Sequence, residues 1–162
     1  MRVGVGYDIH QLAPGRDLVL GGVKISHDKG LVGHSDADVL LHCVCDAIFG
    51  AAGLGDIGQH FPDTDPAYKD ISSMVLLKQT WQKARVKCPT IGNIDATIFA
   101  QQPKLAGYTR EMAARIAKVL EIEPERVNIK ATTTEKLGII GREAAIAAMC
   151  VVLLENRSVS VE

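Results

Sequence analysis

Asp8 and His10 stand two residues apart in Gly6-Tyr7-Asp8-Ile9-His10. On a strand that spacing sends both side chains to one face. A carboxylate beside an imidazole suits a borderline cation such as Zn²⁺, although the same pair is common on solvated strand faces. His34-Ser35-Asp36-Ala37-Asp38-Val39-Leu40-Leu41-His42 is denser. His34 lies in a loop or first helical turn, and His42 follows Asp38 by one turn. His42 can complete a three-ligand set with Asp8 and His10, leaving a fourth position open as catalytic zinc sites do. Asp38 or Asp46, each one turn from His42, can orient its second ring nitrogen. Three histidines and four aspartates in two short segments favour chemistry over a capped helix with a half-buried histidine.

A third constellation suits phosphate. Lys130-Ala131-Thr132-Thr133-Thr134-Glu135-Lys136-Leu137-Gly138 puts three hydroxyls and several loop N–H groups after a strand, with Arg142 close behind. Threonines also simply favour strands, so the run alone is evenly balanced. Lys104 sits in another strand-end loop, a common place for ligands. Gly53-Leu54-Gly55-Asp56-Ile57-Gly58 fits G-x-G-x-x-G, but it follows a helix and leads into Gln59-His60-Phe61-Pro62. A dinucleotide fingerprint must follow a strand and open a helix. The segment instead reads as a helix C-cap and a flexible loop whose Asp56 is available for sugar hydroxyls. His27 and His60 read as surface-loop residues without partners. Cys43, Cys45, Cys88 and Cys150 form no C-x-x-C pair and read as buried thiols of a reduced protein.

The elements that must carry these groups follow from periodicity. Residues 2–10 alternate, with Val3, Val5, Tyr7 and Ile9 on the core face and Gly4, Gly6, Asp8 and His10 opposite. Leu18 to Ile25 is a hairpin around Gly21-Gly22. Ser35-Asp36 caps a helix to about Ala51, 53–69 is loop, and Asp70 caps a helix over 71–86. Ile91 to Ala100 is a strand, Tyr108 to Leu120 a helix, Val127 to Thr132 a strand and Ala144 to Leu154 the last. This order predicts an α/β (α+β) fold, a mixed β-sheet with helices packed on one face. The last strand is apolar on both alternating faces. It is covered by a second subunit, or is central within one subunit, or is a buried helix.

The chain has 162 residues, 47% of them hydrophobic, and a formal net charge of -1. That is one domain able to bury its own core. Residues 1–156 read as a single catalytic domain and 157–162 as a polar tail, fraying from Asn156. Near-neutrality argues against a nucleic-acid or charged-membrane partner. No apolar leader or membrane-length segment is evident, so the expected location is cytoplasmic.

Gly6-Tyr7-Asp8-Ile9-His10, His34-Ser35-Asp36-Ala37-Asp38 with Leu41-His42, Gly55-Asp56-Ile57-Gly58, Phe61-Pro62-Asp63-Thr64-Asp65-Pro66 and Lys130 to Gly138 occur in this order. Together they resemble the 2-C-methyl-D-erythritol 2,4-cyclodiphosphate synthase family across nearly the whole chain. The resemblance implies a lyase of the non-mevalonate isoprenoid route. It would close 4-diphosphocytidyl-2-C-methyl-D-erythritol 2-phosphate to the cyclic diphosphate and release CMP. It implies a homotrimer with sites shared between neighbouring subunits. Asp8, His10 and His42 would hold Zn²⁺, and Asp8 and His10 would also border the substrate. His34 and Ser35 would meet the erythritol phosphate end. Asp56 and Gly58 would hold ribose and Asp63 the methylerythritol hydroxyls, and Ile57, Phe61 and Asp65 would also bind substrate. Ala100, Lys104, Leu105, Ala106 and Ala131 would form the cytidine pocket of the adjoining subunit. Thr132, Thr133, Thr134 and Glu135 would serve the diphosphate and a second cation, Mg²⁺ or Mn²⁺, held mainly by the substrate. Ile139 and Arg142 would border the same region. His34, Thr133 and Glu135 are the implied catalytic residues.

Two departures stand out. Cys43 occupies a position that is more often Ala. Ile139 and Ala144 replace an aromatic residue and a glutamate in a region that, in some members, lines an axial cavity for an isoprenoid diphosphate. Two rival readings remain at this point: another metal-dependent phosphoester enzyme using zinc-bound water, and a non-catalytic cytidine-nucleotide binding module.

Overall fold

The computed structural model describes residues 1–155. In chain order the elements are β1 (Arg2–Pro14), β2 (Leu18–Leu20), β3 (Val23–Ile25), β4 (Lys29–Leu31), α1 (Val39–Ala52), α2 (Ile57–His60), α3 (Ser73–Ala84), β5 (Thr90–Phe99), α4 (Thr109–Leu120), β6 (Val127–Thr132), α5 (Gly138–Gly141) and β7 (Ala145–Glu155). Five strands form one mixed sheet in the order β4-β1-β7-β5-β6, and β2 and β3 form a separate hairpin. Only β5 and β6 run parallel; β7 is antiparallel to both neighbours, β1 and β5. The helices α1, α3 and α4 form a layer on one face, as the α/β reading expects. Residues 157–162, expected as a polar tail, and Asn156 lie outside the described residues.

Gly4 and Gly6 decide which face of β1 turns inward. A Cβ on Gly4 would lie 1.9 Å from the carbonyl oxygen of Ala47, and one on Gly6 1.9 Å from that of Cys43. The helix backbone therefore lies directly on the strand, which only glycine permits. This reverses the expected orientation of β1. Asp8 and His10 lie on the helix-facing side, whereas Val3, Val5 and Tyr7 on the other side are 64%, 62% and 58% exposed. Alternation gives the two faces of a strand but not which one is covered.

β7 shows the same asymmetry. Ile146, Ala148, Cys150, Val152 and Leu154 are buried under the helices, while Met149 and Val151 open outward beside Tyr7 and Val5. It is a central strand, not a helix, whose outer face is covered at Ala145 and Ala147 by Ile140 and Phe99 and open at Met149 and Val151. The four cysteines are buried, as expected.

Several boundaries differ from the sequence reading. The cap of α1 is Asp38, whose side chain accepts from the Leu41 N–H, so Ser35 and Asp36 precede the helix. The cap of α3 is Ser72, and Asp70 instead takes a left-handed φ of 55°. The segment 53–69 is not all loop: it holds α2 and a 3₁₀ turn over Pro66–Tyr68. β4 and α5, three and four residues long, are too short to show a period. The Gly21-Gly22 hairpin forms as read, with both residues at positive φ.

Candidate functional site

β1 and the first turn of α1 bring Asp8, His10 and His42 together. His10 Nε2 lies 2.9 Å from Asp8 Oδ2, and His42 Nδ1 lies 3.1 Å from each of these atoms. The second polar atom of each side chain is engaged elsewhere. Asp8 Oδ1 accepts from the Ile9 N–H at 2.8 Å. His10 Nδ1 donates to the Val32 carbonyl at 2.7 Å, which leaves Nε2 directed at Asp8 and His42. His42 Nε2 lies 3.1 Å from Ser73 Oγ, whose own proton goes to Asp36 Oδ1. Ser73 therefore accepts from Nε2, which leaves His42 Nδ1 directed at Asp8 and His10.

Three donor atoms thus converge closely enough for one cation to touch all of them. Tetrahedral zinc ligands stand about 3.3 Å apart, close to the observed edges. Asp8, His10 and His42 fit a divalent metal by donor type, spacing and supporting hydrogen bonds. Their titration follows the same logic. Burial pushes the Asp8 carboxyl up, but bonds from His10 and His42 outweigh it and hold the group well below the usual carboxylate range. Burial pulls His10 down, but the bond to Asp8 and the Val32 carbonyl carry it above the ordinary histidine value.

Neither Asp38 nor Asp46 orients His42, contrary to expectation. Asp38 is fully buried and accepts from the N–H groups of Gly21, Gly22 and Leu41 at 3.0, 2.7 and 3.1 Å. It ties the β2–β3 turn to the start of α1. Asp46 accepts from the Ile57 N–H at 2.7 Å and so seats α2 on α1. Ser35 and Ser73 take the orienting role: Ser35 Oγ is 3.0 Å from His42 Nε2. Sequence spacing gave no signal for Ser73, which arrives from α3, 31 residues away.

His10, His34, Ser35 and His42, with Ile57, Phe61 and Asp63, line a cleft of about 300 Å³. The other predicted groups gather elsewhere. Ala100, Lys104, Leu105, Ala106, Ala131, Thr132 and Thr133 line a second cleft of about 490 Å³, between the ends of β5 and β6. The two clefts share no lining residue. Asp8, Ala148, Ile98 and Ala131 occupy one row across β1, β7, β5 and β6. At strand spacing this row places β1 and β6 about 14 Å apart. One chain therefore holds two separate clefts.

Asp56, Gly58, Asp65, Thr134, Glu135, Ile139 and Arg142 line neither cleft. Asp56 is not idle: it caps α2 through the Gln59 N–H and bonds the Gln59 amide. The expected flexible loop is thus a capped helical turn. Asp65 likewise caps the 3₁₀ turn through the Ala67 N–H. Thr134 bonds the Leu137 carbonyl, and Glu135 accepts from Thr133 Oγ1 at 3.0 Å. Ile139 is half exposed on α5, and Arg142 ends that helix.

His60 and His27 are not partnerless surface histidines. His60 stacks on Phe49 with centroids 4.1 Å apart, and its Nε2–H donates to the Leu54 carbonyl at 2.8 Å. Its Nδ1 receives Lys83 Nζ at 3.3 Å, and the same ammonium lies 5.2 Å over Phe61. This stack braces the cleft-lining Phe61 from behind. His27 is half-buried beside Asp28.

Residues 1–155 match the sequence model of the YgbB family. The 2-C-methyl-D-erythritol 2,4-cyclodiphosphate synthase of Syntrophobacter fumaroxidans is 58% identical over 156 residues, which cover 96% of this chain and 98% of the relative. The synthase of the same name from Desulfatibacillum aliphaticivorans is 61% identical, over 96% of this chain and 100% of its own. The solved structure of the bifunctional IspDF from Campylobacter jejuni matches with a TM-score of 0.92 at 47% identity over 96% of this chain, which spans 42% of that longer protein. A CDP complex of IspF from Plasmodium falciparum matches with a TM-score of 0.84 at 34% identity, covering 97% of each chain.

Proposed function

The chain belongs to the YgbB family, and from that premise we propose that it closes 4-diphosphocytidyl-2-C-methyl-D-erythritol 2-phosphate to 2-C-methyl-D-erythritol 2,4-cyclodiphosphate and CMP. Its relatives of that name are 58% and 61% identical over nearly the full length. The observation that carries the chemistry is the convergence of three metal-ligating donor atoms, from Asp8, His10 and His42, beside a cleft of about 300 Å³.

An oxygen of the substrate's 2-phosphate forms a bond to the β-phosphorus, and the bond from that phosphorus to the oxygen bridging to the α-phosphate breaks. CMP leaves with the electron pair, so atoms and charge balance without water. The reaction is that of a phosphorus–oxygen lyase. Because the nucleophile belongs to the substrate, the protein needs no serine or cysteine nucleophile; its work is to fold the substrate into attack geometry. The second cleft takes the cytidine through Ala100, Lys104, Leu105, Ala106 and Ala131. The first takes the methylerythritol end through His34, Ser35, Phe61 and Asp63, with Ile57 and Asp65 at its border, and Asp56 and Gly58 hold the ribose. Thr132, Thr133, Thr134 and Glu135 hold the diphosphate between, with Ile139 and Arg142 at the border. His34 and Thr133 offer hydrogen bonds that strengthen as charge builds on the transferring phosphorus. Bound Zn²⁺ supplies Lewis acidity, and Mg²⁺ or Mn²⁺ carried by the substrate offsets diphosphate charge.

Half-sites about 14 Å apart in one chain support a site completed by a neighbouring copy. The open apolar face of β1 and β7 supports the same conclusion, since such patches mark contact surfaces. The working unit is a homotrimer of one catalytic domain per chain, residues 1–156, followed by the tail 157–162. It acts in the cytoplasm on a small molecule, without nucleic-acid or membrane partners. Among the described residues no helix is long and apolar enough to cross a membrane.

Phosphorus NMR of the purified protein with the CDP substrate, Zn²⁺ and Mg²⁺ tests this reading. A cyclic diphosphate and CMP are expected. A linear phosphate product would mean a hydrolase, and CDP binding that survives chelation with no turnover on zinc return would mean a binding module.

A further inference from the structure

Gln101 joins two loops that the proposed reaction must hold in register. It follows β5 and lines the 490 Å³ cleft beside Ala100, Lys104 and Ala131. Its Oε1 accepts from the backbone N–H of Lys136 at 3.0 Å, in the loop after β6. That loop turns through two successive left-handed residues, Glu135 at φ 51° and Lys136 at φ 64°. Side chains disfavour this conformation, so a pair of them needs outside support.

The support comes from both sides. On one side is the Gln101 carboxamide. On the other is Gly141 of α5, where a Cβ would lie 2.1 Å from the Lys136 carbonyl carbon. The Lys136 peptide is thus held between a side-chain acceptor and a glycine surface. Within the turn, Thr133 Oγ1 donates to Glu135 Oε1 at 3.0 Å and accepts from the Glu135 N–H at 3.3 Å. The positions of Thr133 and Glu135 therefore depend on the turn, which bonds between Thr134 and Leu137 close from within and Gln101 holds from outside.

We propose that Gln101 is a positioning residue that couples the nucleotide cleft to the diphosphate loop, setting Thr133 and Glu135 through the Lys136 peptide. The proposal rests on the reading above that these two residues serve the diphosphate. Gln101 itself touches no reacting atom; its side chain is spent on the neighbouring backbone.

The test compares the full-length wild type with Gln101→Met, which removes the acceptor at similar length, and Gln101→Glu, which keeps it. Amide hydrogen exchange over 133–137 in the ligand-free protein reads the clamp directly. Gln101→Met should exchange there at least about tenfold faster, and Gln101→Glu should match the wild type. The added charge of Glu opposes a diphosphate, so this variant is read by exchange and not by turnover. CMP reads the base cleft alone, whereas CDP also reads the loop. In Gln101→Met, CMP affinity should stay within about threefold, CDP affinity should fall at least about fivefold, and kcat should fall at least about tenfold. Wild-type exchange in Gln101→Met, equal losses for CMP and CDP, or an unchanged kcat would each overturn the coupling. A wild type that yields no cyclic product overturns the proposed function instead, and the exchange comparison then decides the clamp alone.

Discussion

Ser73 Oγ lies 3.1 Å from His42 Nε2 and passes its own proton to Asp36. This relay orients His42: a serine that donates to a carboxylate accepts from the ring, so Nε2 carries a proton and Nδ1 faces Asp8. Ser73→Ala removes one of the two hydroxyls at Nε2, leaves Ser35 Oγ at 3.0 Å without its tie to Ser73, and so loosens the ring. Loss of such an outer partner typically weakens metal binding about 10–100-fold. Chelator competition should show a Zn²⁺ affinity reduced within that range, and wild-type affinity would refute the relay.

His42→Ala goes further, since it deletes one of three ligands. Bound zinc should fall to background by elemental analysis, and kcat should drop about a thousandfold or more. The fold should persist by circular dichroism, because His42 lies at the edge of the cleft and outside the apolar core. Zinc retained at wild-type stoichiometry would overturn the ligand set.

The candidate metal ligands were legible in the sequence through i, i+2 spacing on a strand and a histidine one turn into a helix. The orienting groups were not. Asp36 reaches His42 only through Ser73, on a helix whose distance no motif encodes. Face assignment failed for a related reason. Val3, Val5, Tyr7 and Ile9 form the apolar set of β1, yet two glycines let α1 lie on the opposite side. Apolar periodicity reports that a face is destined for contact, within the chain or with another copy, and Gly4 and Gly6 were the signal that distinguished the two. Elements with a long period, such as α4 and β7, were read to within a residue or two. The short ones, β4, α2 and α5, are built by caps and turns that leave no periodic trace.

Asp38 should make stability depend on pH in an unusual direction. Burial without a facing cation pushes its carboxyl up to about 6, against the pull of its Gly22, Gly21 and Leu41 N–H bonds and with added repulsion from Asp36. Because the folded value exceeds the unfolded one, Asp38 binds a proton more readily when folded. Its contribution is complete below about pH 4 and is lost as pH rises through about 6, by about 3 kcal/mol in all. Asp38→Asn cannot titrate. The stability of the wild type minus that of Asp38→Asn, from urea unfolding in chelator at fixed protein concentration, should therefore fall between pH 4 and 7. A flat difference would show that the carboxylate stays ionised throughout.

Gly6→Ala should be damaging although it adds one methyl. Its Cβ would meet the Cys43 carbonyl oxygen at 1.9 Å and the carbonyl carbon at 2.9 Å. These are backbone atoms of α1 and cannot rotate away. Separating helix from strand costs about 1–3 kcal/mol and moves Asp8 and His10 away from His42. Thermal denaturation should show a lower Tm, and zinc affinity should fall with it. Gly107→Ala is the control, since a Cβ there meets nothing within 4 Å. Equal effects at both positions would refute the close-approach argument.

Separation of the half-sites makes the last prediction the most discriminating. Asp8→Ala damages the metal centre on β1, and Lys104→Ala damages the second cleft, about 14 Å across the sheet. Each variant alone should be nearly inactive. If a working site joins the metal centre of one copy to the nucleotide cleft of its neighbour, mixed assemblies contain junctions where both halves are intact. In a trimer with two subunits of one variant and one of the other, one junction of the three has that composition. Random exchange of equal amounts produces mixed trimers three times out of four, so about a quarter of the wild-type activity should return. Recovery should follow the exchange rate, measured by mass spectrometry of differently tagged subunits. Proven exchange with no recovery would place the whole site within one chain.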